Sequence, residues 1–181
     1  METVKEKQNK LYEILKKERG DVNVSTVPKI VKVVINSGVG SKKDKKFSEI
    51  ILDRLAKITG QKAAARPAKQ SIASFKVREG DVVGYAITLR GHRMYNFLDK
   101  LINVAIPRMR DFKGLNRTSV DSMGNCTIGI KEHTIFPEAA EEDLKDVFGF
   151  SIAIVTTAKT KKDAEMLLEQ IGIPFVKKDA K

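Results

Sequence analysis

The chain has 181 residues, of which 41% are hydrophobic, so it can bury the core of one folded domain and is not disordered as a whole. Its 34 Lys and Arg residues outnumber 23 Asp and Glu residues, and the net charge of +11 favours a polyanionic partner, most commonly nucleic acid. The single cysteine, Cys126, excludes an internal disulfide, and no segment approaches the ~20 apolar residues of a membrane span.

The first third of the chain predicts a helix, a strand and a second helix. A charged segment over residues 1–20 carries apolar residues at helical spacing, namely Leu11, Ile14 and Leu15. Residues 30–36 alternate as a strand, with Val31, Val33 and Ile35 on one face and Lys32 and Asn36 on the other. The second helix ends at Gly60 and has an apolar stripe of Phe47, Ile50, Ile51, Leu55 and Ile58.

The middle of the chain predicts two strands joined by a turn. Residues 61–71 form a polar, basic connection, and strand-like runs at 72–77 and 81–90 flank a turn at 78–80. In the second run one set of positions suits a core, namely Val83, Tyr85, Ile87 and Leu89. The alternate positions carry small residues followed by polar ones, namely Val82, Gly84, Ala86, Thr88 and Arg90. This pattern predicts a face that another group can approach closely.

The last part predicts two further helices and two strands. One helix ends at Pro107 and carries Met94, Phe97, Leu98, Leu101, Ile102 and Ala105; the other carries Ala164, Leu167, Leu168 and Ile171. Strands are expected at 127–130 and 150–157, separated by an acidic run at 138–146. The pattern predicts an α+β fold with an antiparallel sheet of about five strands and helices on one face. We expect an N-terminal helix at 1–20 and a single RNA-binding domain at 21–181.

Enzyme and metal-site motifs are not matched. Glycines 38 and 40 precede four lysines, but the spacing GxxxxGK[ST] is not met, so this turn suits an RNA phosphate rather than nucleotide hydrolysis. The acidic run lacks a calcium-loop pattern and resembles a solvated helix N-terminus. Cys126 and the two histidines, His92 and His133, fit neither a nucleophile–base pair nor a structural zinc site. We therefore expect no catalytic residue and no cofactor.

Grouped basic residues favour RNA binding. They occur at 42–46, 57–69, 76–78, 90–93 and 108–117. Because only 6% of residues are aromatic, stacking of many unpaired bases is not expected. Polar groups at Asn36, Thr88 and Arg90 suit a folded RNA that is recognised through its backbone and exposed edges. Two alternatives stay open: a metal-dependent nuclease using the acidic run, and a protein-binding adaptor with a basic surface.

Four stretches resemble the L-five family of bacterial large-subunit ribosomal proteins. The first spans 27–40, with Val-Pro-Lys-Ile and Ile-Asn-Ser-Gly-Val-Gly, and the second is Ile-Thr-Gly-Gln-Lys at 58–62. The third runs from Ser-Phe-Lys-Val-Arg at 74–78 through Thr-Leu-Arg-Gly at 88–91 to 106–112. The fourth joins Ile-Phe-Pro-Glu at 135–138 with Thr-Thr-Ala-Lys at 156–159. The resemblance covers roughly residues 28–176, and one departure is Ser37, where the family typically has methionine.

This resemblance implies a non-enzymatic role in the ribosome. Proteins of this family bind 5S rRNA and help attach it in the central protuberance, beside 23S rRNA and neighbouring large-subunit proteins. The implied 5S rRNA-binding residues are Asn36, Gln61 and Thr88, to which the basic clusters add Lys62, Lys69 and Arg90. The resemblance further implies a loop at 74–80 that contacts P-site tRNA, with Ser74, Phe75, Lys76, Val77 and Arg78.

The resemblance also implies an intersubunit bridge to a protein of the small-subunit head. We expect that contact at Arg108, Arg110 and Lys113, or in the acidic segment. The charged N-terminus contains no apolar stretch of signal-peptide length, so we expect a cytoplasmic location on the ribosome.

Overall fold

The computed structural model describes residues 2–19, 23–39, 45–110, 112–139 and 147–176. The helices are α1 (Val4–Arg19), α2 (Lys45–Thr59), α3 (Gly91–Lys100) and α4 (Lys161–Ile171). The strands are β1 (Ile30–Gly38), β2 (Ala64–Pro67), β3 (Val82–Leu89), β4 (Cys126–Ile130) and β5 (Phe150–Thr156). They form one open antiparallel sheet in the order β2-β3-β1-β5-β4, which confirms the predicted α+β class. Residues 40–44 of the predicted glycine turn and basic patch (38–46), and residues 140–146 of the acidic run, lie outside the described residues.

The chain forms two compact units. One contains Met1–Val33, Arg90–Ile128 and Ala153–Lys181, and the other contains Val34–Leu89 and Gly129–Ile152. The expected division at residue 20 stays a prediction.

In the first unit, α1 packs against α3 and α4 through its predicted apolar face, where Leu11 and Leu15 are buried. The predicted stripes of the third and fourth helices are buried in full. The third helix changes form after Lys100, continuing as a π-helix over Leu101–Ala105 and a 3-10 turn over Ile106–Arg108, because Pro107 cannot continue an α-helix. The Thr160 hydroxyl accepts from the Asp163 N–H at the start of α4, and Gly172 ends it with a φ of +106°.

The second unit contains α2, β2 and β3. The apolar stripe of α2 is buried as predicted, although Ile50 is only partly so. In β1 the predicted buried face holds for Val33 and Ile35, but Val31 is exposed and Ile30 is buried instead. Within the first unit, the Gln8 side chain of α1 accepts a hydrogen bond from the Ile30 backbone N–H at 3.1 Å, which ties the start of β1 to α1.

Two predictions around β3 are wrong. Residues 72–77 do not form a strand: Ile72 and Val77 make a single antiparallel bridge, because a 3-10 turn over Ala73–Phe75 folds the segment back on itself. The connection at 61–71 instead contains β2, which pairs with β3 from Ala64 opposite Ala86 to Pro67 opposite Val82. All four residues of β2 are exposed, so the strand lacks the apolar alternation by which a sequence predicts one.

Candidate nucleic-acid interface

Gln61 and Thr88 lie together in the second unit. Gly60, with a φ of +67°, turns the chain at the end of α2, and the Gln61 side-chain amide then donates to the Thr88 carbonyl oxygen at 3.4 Å. Both side chains are partly exposed. Because the Gln61 nitrogen is engaged with backbone, its oxygen is oriented as an acceptor while the Thr88 hydroxyl can both donate and accept.

Asn36 lies on the neighbouring strand and is exposed. The Val39 N–H donates to the Val83 carbonyl oxygen at 3.0 Å, which fixes how β1 aligns with β3. Counting back along antiparallel strands places Asn36 opposite Ala86, on the same face as Thr88. The backbone carbonyl oxygen of Asn36 also accepts a hydrogen bond from the Ser151 hydroxyl at 3.5 Å. The sheet therefore presents the Asn36 amide and the Thr88 hydroxyl on one face, and the Gln61 amide is held at the Thr88 backbone.

The residues between these polar groups are small. Ala86 of β3 is opposite Ala64 of β2, and Gly84 is opposite Arg66. The sequence predicted a group in close contact with this face, and at Gly84 that group is β1 itself: a Cβ on Gly84 would lie 2.8 Å from the Ser37 carbonyl oxygen. Short side chains leave the polar groups accessible to a bulky partner.

The predicted phosphate-binding cations are distributed over both units. Lys62 directly follows Gln61, Lys69 follows β2, and both are exposed in the second unit. Arg90 is exposed as the N-cap of α3, in the first unit. The structure therefore brings together Asn36, Gln61 and Thr88 with Lys62 beside them, and places Arg90 in the other unit.

The loop at 72–80 presents an exposed aromatic ring and two cations. Phe75 is 71% exposed, and Lys76, with a φ of +51°, and Arg78 are exposed beside it. The backbone is held by its own neighbours: Arg78 N–H donates to Asp81 at 3.0 Å, and Glu79 N–H donates to the Ser71 hydroxyl at 2.9 Å. These internal hydrogen bonds fix the shape of the loop.

An apolar depression of about 680 Å³ lies beside this loop. It is lined by Ala68, Lys69, Gln70, Ile72, Phe75, Val77 and Val83. Val83 was predicted to be a core residue, but it is 37% exposed because it faces this depression.

The predicted bridge residues Arg108, Arg110 and Lys113 are all exposed in the first unit. Arg117, in the same basic segment, is engaged: its guanidinium contacts Glu165 at 2.7 Å and Glu169 at 2.5 Å, and lies over the Phe175 ring at 5.5 Å. Arg117 therefore holds its segment against α4.

Titratable groups form no catalytic set in the part of the chain that the structure describes. Burial, and secondarily the charge of Asp121, raise the pKa of the Cys126 thiol to about 11, as expected for a small buried residue. Burial and the nearby Arg54 charge lower the pKa of His133, which stacks on Phe148 with ring centroids 4.3 Å apart. Within the described ranges, no three His, Cys, Asp or Glu side chains converge as metal ligands.

Sequence reasoning missed Thr59 and Ser151, two buried or partly buried hydroxyl groups that bond to the backbone beside Gln61 and Asn36. For Thr59 a signal was present, since it lies inside the motif Ile-Thr-Gly-Gln-Lys. No described helix is both long enough and apolar enough to cross a membrane.

The fold and its exposed groups define a basic α+β protein whose described surface offers polar and cationic contacts instead of a reaction centre. Two family models match most of it: the model of "Ribosomal protein L5" over residues 23–78, and the model of the C-terminus of the same ribosomal protein family over residues 82–175. The chain therefore belongs to the ribosomal protein L5 family. It is a structural ribosomal constituent and not an enzyme.

Bacterial relatives support this membership over nearly the full length. The chain is 51% identical to large ribosomal subunit protein uL5 of Natranaerobius thermophilus, over 89% of this chain and 90% of the relative. It is 52% identical to the protein of the same name from Malacoplasma penetrans, over 92% and 90%. It is 48% identical to that of Thermoanaerobacter sp. (strain X514), over 98% and 100%.

Proposed function

We propose that this chain binds 5S rRNA in the large ribosomal subunit through the sheet face that presents Asn36, Gln61 and Thr88. The observation that carries the proposal is the hydrogen bond between Gln61 and the Thr88 backbone, which groups these polar side chains beside Asn36 on an accessible face. Lys62 and Lys69 contact phosphates of the same RNA. Arg90, in the other unit, is proposed as a further phosphate contact, and the support for it is its place among the basic residues of the sequence.

The mechanism is positioning. Amide and hydroxyl groups can bond both ribose 2′-hydroxyls and base edges, so they recognise a prefolded RNA without stacking its bases. Since Gln61 is already held by the Thr88 carbonyl, little side-chain freedom is lost on binding. The backbone-held Gln61 amide therefore provides orientation, and the flanking lysines provide affinity that decreases with salt.

Replacing Asn36, Gln61 or Thr88 by Ala should each weaken 5S rRNA binding by about 1 kcal/mol or more, because each change leaves an RNA group unpaired. The measurement is filter binding of 5S transcripts to purified protein at fixed salt. Gln170→Ala is the matched control, since Gln170 is a partly exposed glutamine on α4 in the first unit. Wild-type affinity in a variant with all three residues replaced by Ala would refute this RNA-binding site.

The proposal extends to other ribosomal partners. The 72–80 loop contacts P-site tRNA through Ser74, Phe75, Lys76, Val77 and Arg78, supported by the exposed ring and cations. Arg108, Arg110 and Lys113 face a small-subunit head protein across an intersubunit bridge, supported by their exposure. The protein further contacts 23S rRNA and neighbouring large-subunit proteins in the central protuberance, and acts on the cytoplasmic ribosome.

A further inference from the structure

Thr59 is a buried polar residue at the point where α2 ends. Thr59 is only 7% exposed to solvent. The hydroxyl lies 2.6 Å from the Leu55 carbonyl oxygen, one helical turn earlier, and it accepts the Gln61 backbone N–H at 3.3 Å. One hydroxyl thus contacts both the last turn of the helix and the residue proposed to contact RNA.

The hydrogen-bonding capacity of a hydroxyl fixes the direction of these bonds. The Thr59 hydroxyl has one hydrogen, which it donates to Leu55 at the short distance, and its lone pairs remain for Gln61 N–H. The Gln61 carbonyl oxygen, 3.1 Å away, is an alternative acceptor for the same hydrogen. In either arrangement the hydroxyl holds the backbone of Gln61.

The backbone of Gln61 has few other restraints. Gly60 adopts the left-handed conformation that ends α2, and its N–H still donates to the Ala56 carbonyl at 2.8 Å, so Gln61 is the first residue beyond the last backbone hydrogen bond of the helix. The side chain of Gln61 reaches the Thr88 carbonyl only at 3.4 Å, a long hydrogen bond. A fixed Gln61 backbone is therefore needed for its amide to stay at Thr88.

We propose that Thr59 is a positioning residue for Gln61: its buried hydroxyl fixes the Gln61 backbone after the glycine turn, so that the amide is directed at the RNA-binding face. The inference rests on the proposed binding of 5S rRNA by Gln61. Thr59 is buried and its hydroxyl bonds to the backbone of Leu55 and Gln61, so it acts through Gln61 and not by touching RNA.

The test replaces the hydroxyl while keeping the shape. Thr59→Val removes the hydrogen bonds of the hydroxyl at nearly constant volume. It should weaken 5S transcript binding about fivefold, the fold-change expected when the one hydrogen bond proposed between Gln61 and RNA is lost. Thr59→Ser keeps the hydroxyl and should restore affinity. A purely structural role predicts instead that affinity follows stability in every variant.

Thr156→Val is the matched control. Thr156 is also buried, its hydroxyl donates to the Gly124 carbonyl at 2.6 Å, and it likewise accepts the N–H two residues later, from Ala158 at 3.1 Å. It lies on β5 within the first unit, so the change removes the same kind of contact away from Gln61. Thr156→Val should leave 5S binding unchanged. A loss equal to that of Thr59→Val would overturn the inference.

A double-mutant cycle with Gln61→Ala identifies the route of the effect. In the Gln61→Ala background, Thr59→Val should cause no further loss of affinity, because the group it positions is absent. An undiminished fivefold loss in that background would show that Thr59 acts elsewhere and would overturn the inference.

A readout without RNA separates this inference from the proposed function. The Gln61 side-chain amide resonances in a ¹H–¹⁵N spectrum of the free protein should shift in Thr59→Val but not in Thr156→Val. An unshifted Gln61 amide would overturn the positioning role. Normal 5S binding by Gln61→Ala, together with the expected shift, would refute Gln61 as an RNA contact and leave its positioning by Thr59 standing.

Discussion

Gly84 shows how one residue sets the distance between two strands. A Cβ there would lie 2.8 Å from the Ser37 carbonyl oxygen and 3.5 Å from the Gly38 Cα. The strands β1 and β3 therefore approach more closely than a residue with a Cβ at position 84 would allow. Ser37 is itself anchored, because its buried hydroxyl donates to the Gly149 carbonyl at 3.0 Å. The backbone next to Asn36 therefore cannot move aside without breaking that bond.

Gly84→Ala should lower the free energy of unfolding by about 1–3 kcal/mol, since the added methyl group meets backbone in a packed region. Denaturant unfolding followed by circular dichroism measures this. The control is Gly129→Ala on β4, where an added Cβ would meet nothing within 4 Å. Equal stability losses in the two variants would contradict the close-approach explanation.

At the scale of elements, the loop at 72–80 is built separately from the sheet face with Asn36. It is closed by hydrogen bonds between Ile72 and Val77 at 3.0 and 3.3 Å, and by Gly80 N–H donating to the Ala68 carbonyl at 3.1 Å. Because its backbone bonds are made within 68–81, changes to its exposed side chains should leave the Gln61–Thr88 contact intact.

Replacing Lys76 and Arg78 together by Gln should weaken P-site tRNA binding to ribosomes reconstituted with the variant, while purified protein keeps its 5S affinity. The reason is the loss of two cations from a surface that the proposal assigns to tRNA phosphates. Lys16→Gln with Lys17→Gln, two exposed positions on α1, is a control with equal change in net charge. If 5S affinity collapsed in the loop variant, the division into two RNA surfaces would be wrong.

At the scale of the whole molecule, the net charge of +11 makes the overall affinity for RNA dependent on ionic strength. Contact with about six phosphates predicts a slope of log affinity against log salt near −5, if the RNA behaves like a B-form duplex.

Lys62→Gln with Lys69→Gln should reduce the magnitude of this salt slope for 5S transcripts by about 2, because two phosphate contacts fewer release fewer counterions. Titrations at several salt concentrations measure it. The Lys16 and Lys17 double variant carries the same total charge and should keep the wild-type slope. An equal change in both would mean that net charge, not these positions, governs binding.

The sequence by itself determined the four described helices, four of the five described strands (β1, β3, β4 and β5) and most of the buried residues. Apolar periodicity is a local property: the stripe from Phe47 to Ile58 must be buried wherever α2 packs, and Gly60 ends that helix because of its own conformational freedom. The motif around Gln61 and Thr88 was likewise visible as a resemblance before any contact was known.

Only the tertiary structure decided β2, the fold of the 72–80 loop and the joining of Gln61 to Thr88. β2 exists because the edge of β3 offers unpaired backbone groups, which no exposed Ala-Ala-Arg-Pro stretch encodes. Gln61 and Thr88 are 27 residues apart, and Thr59 gains its significance from both of them. Such contacts depend on the simultaneous placement of several elements, whereas periodicity reports each element alone.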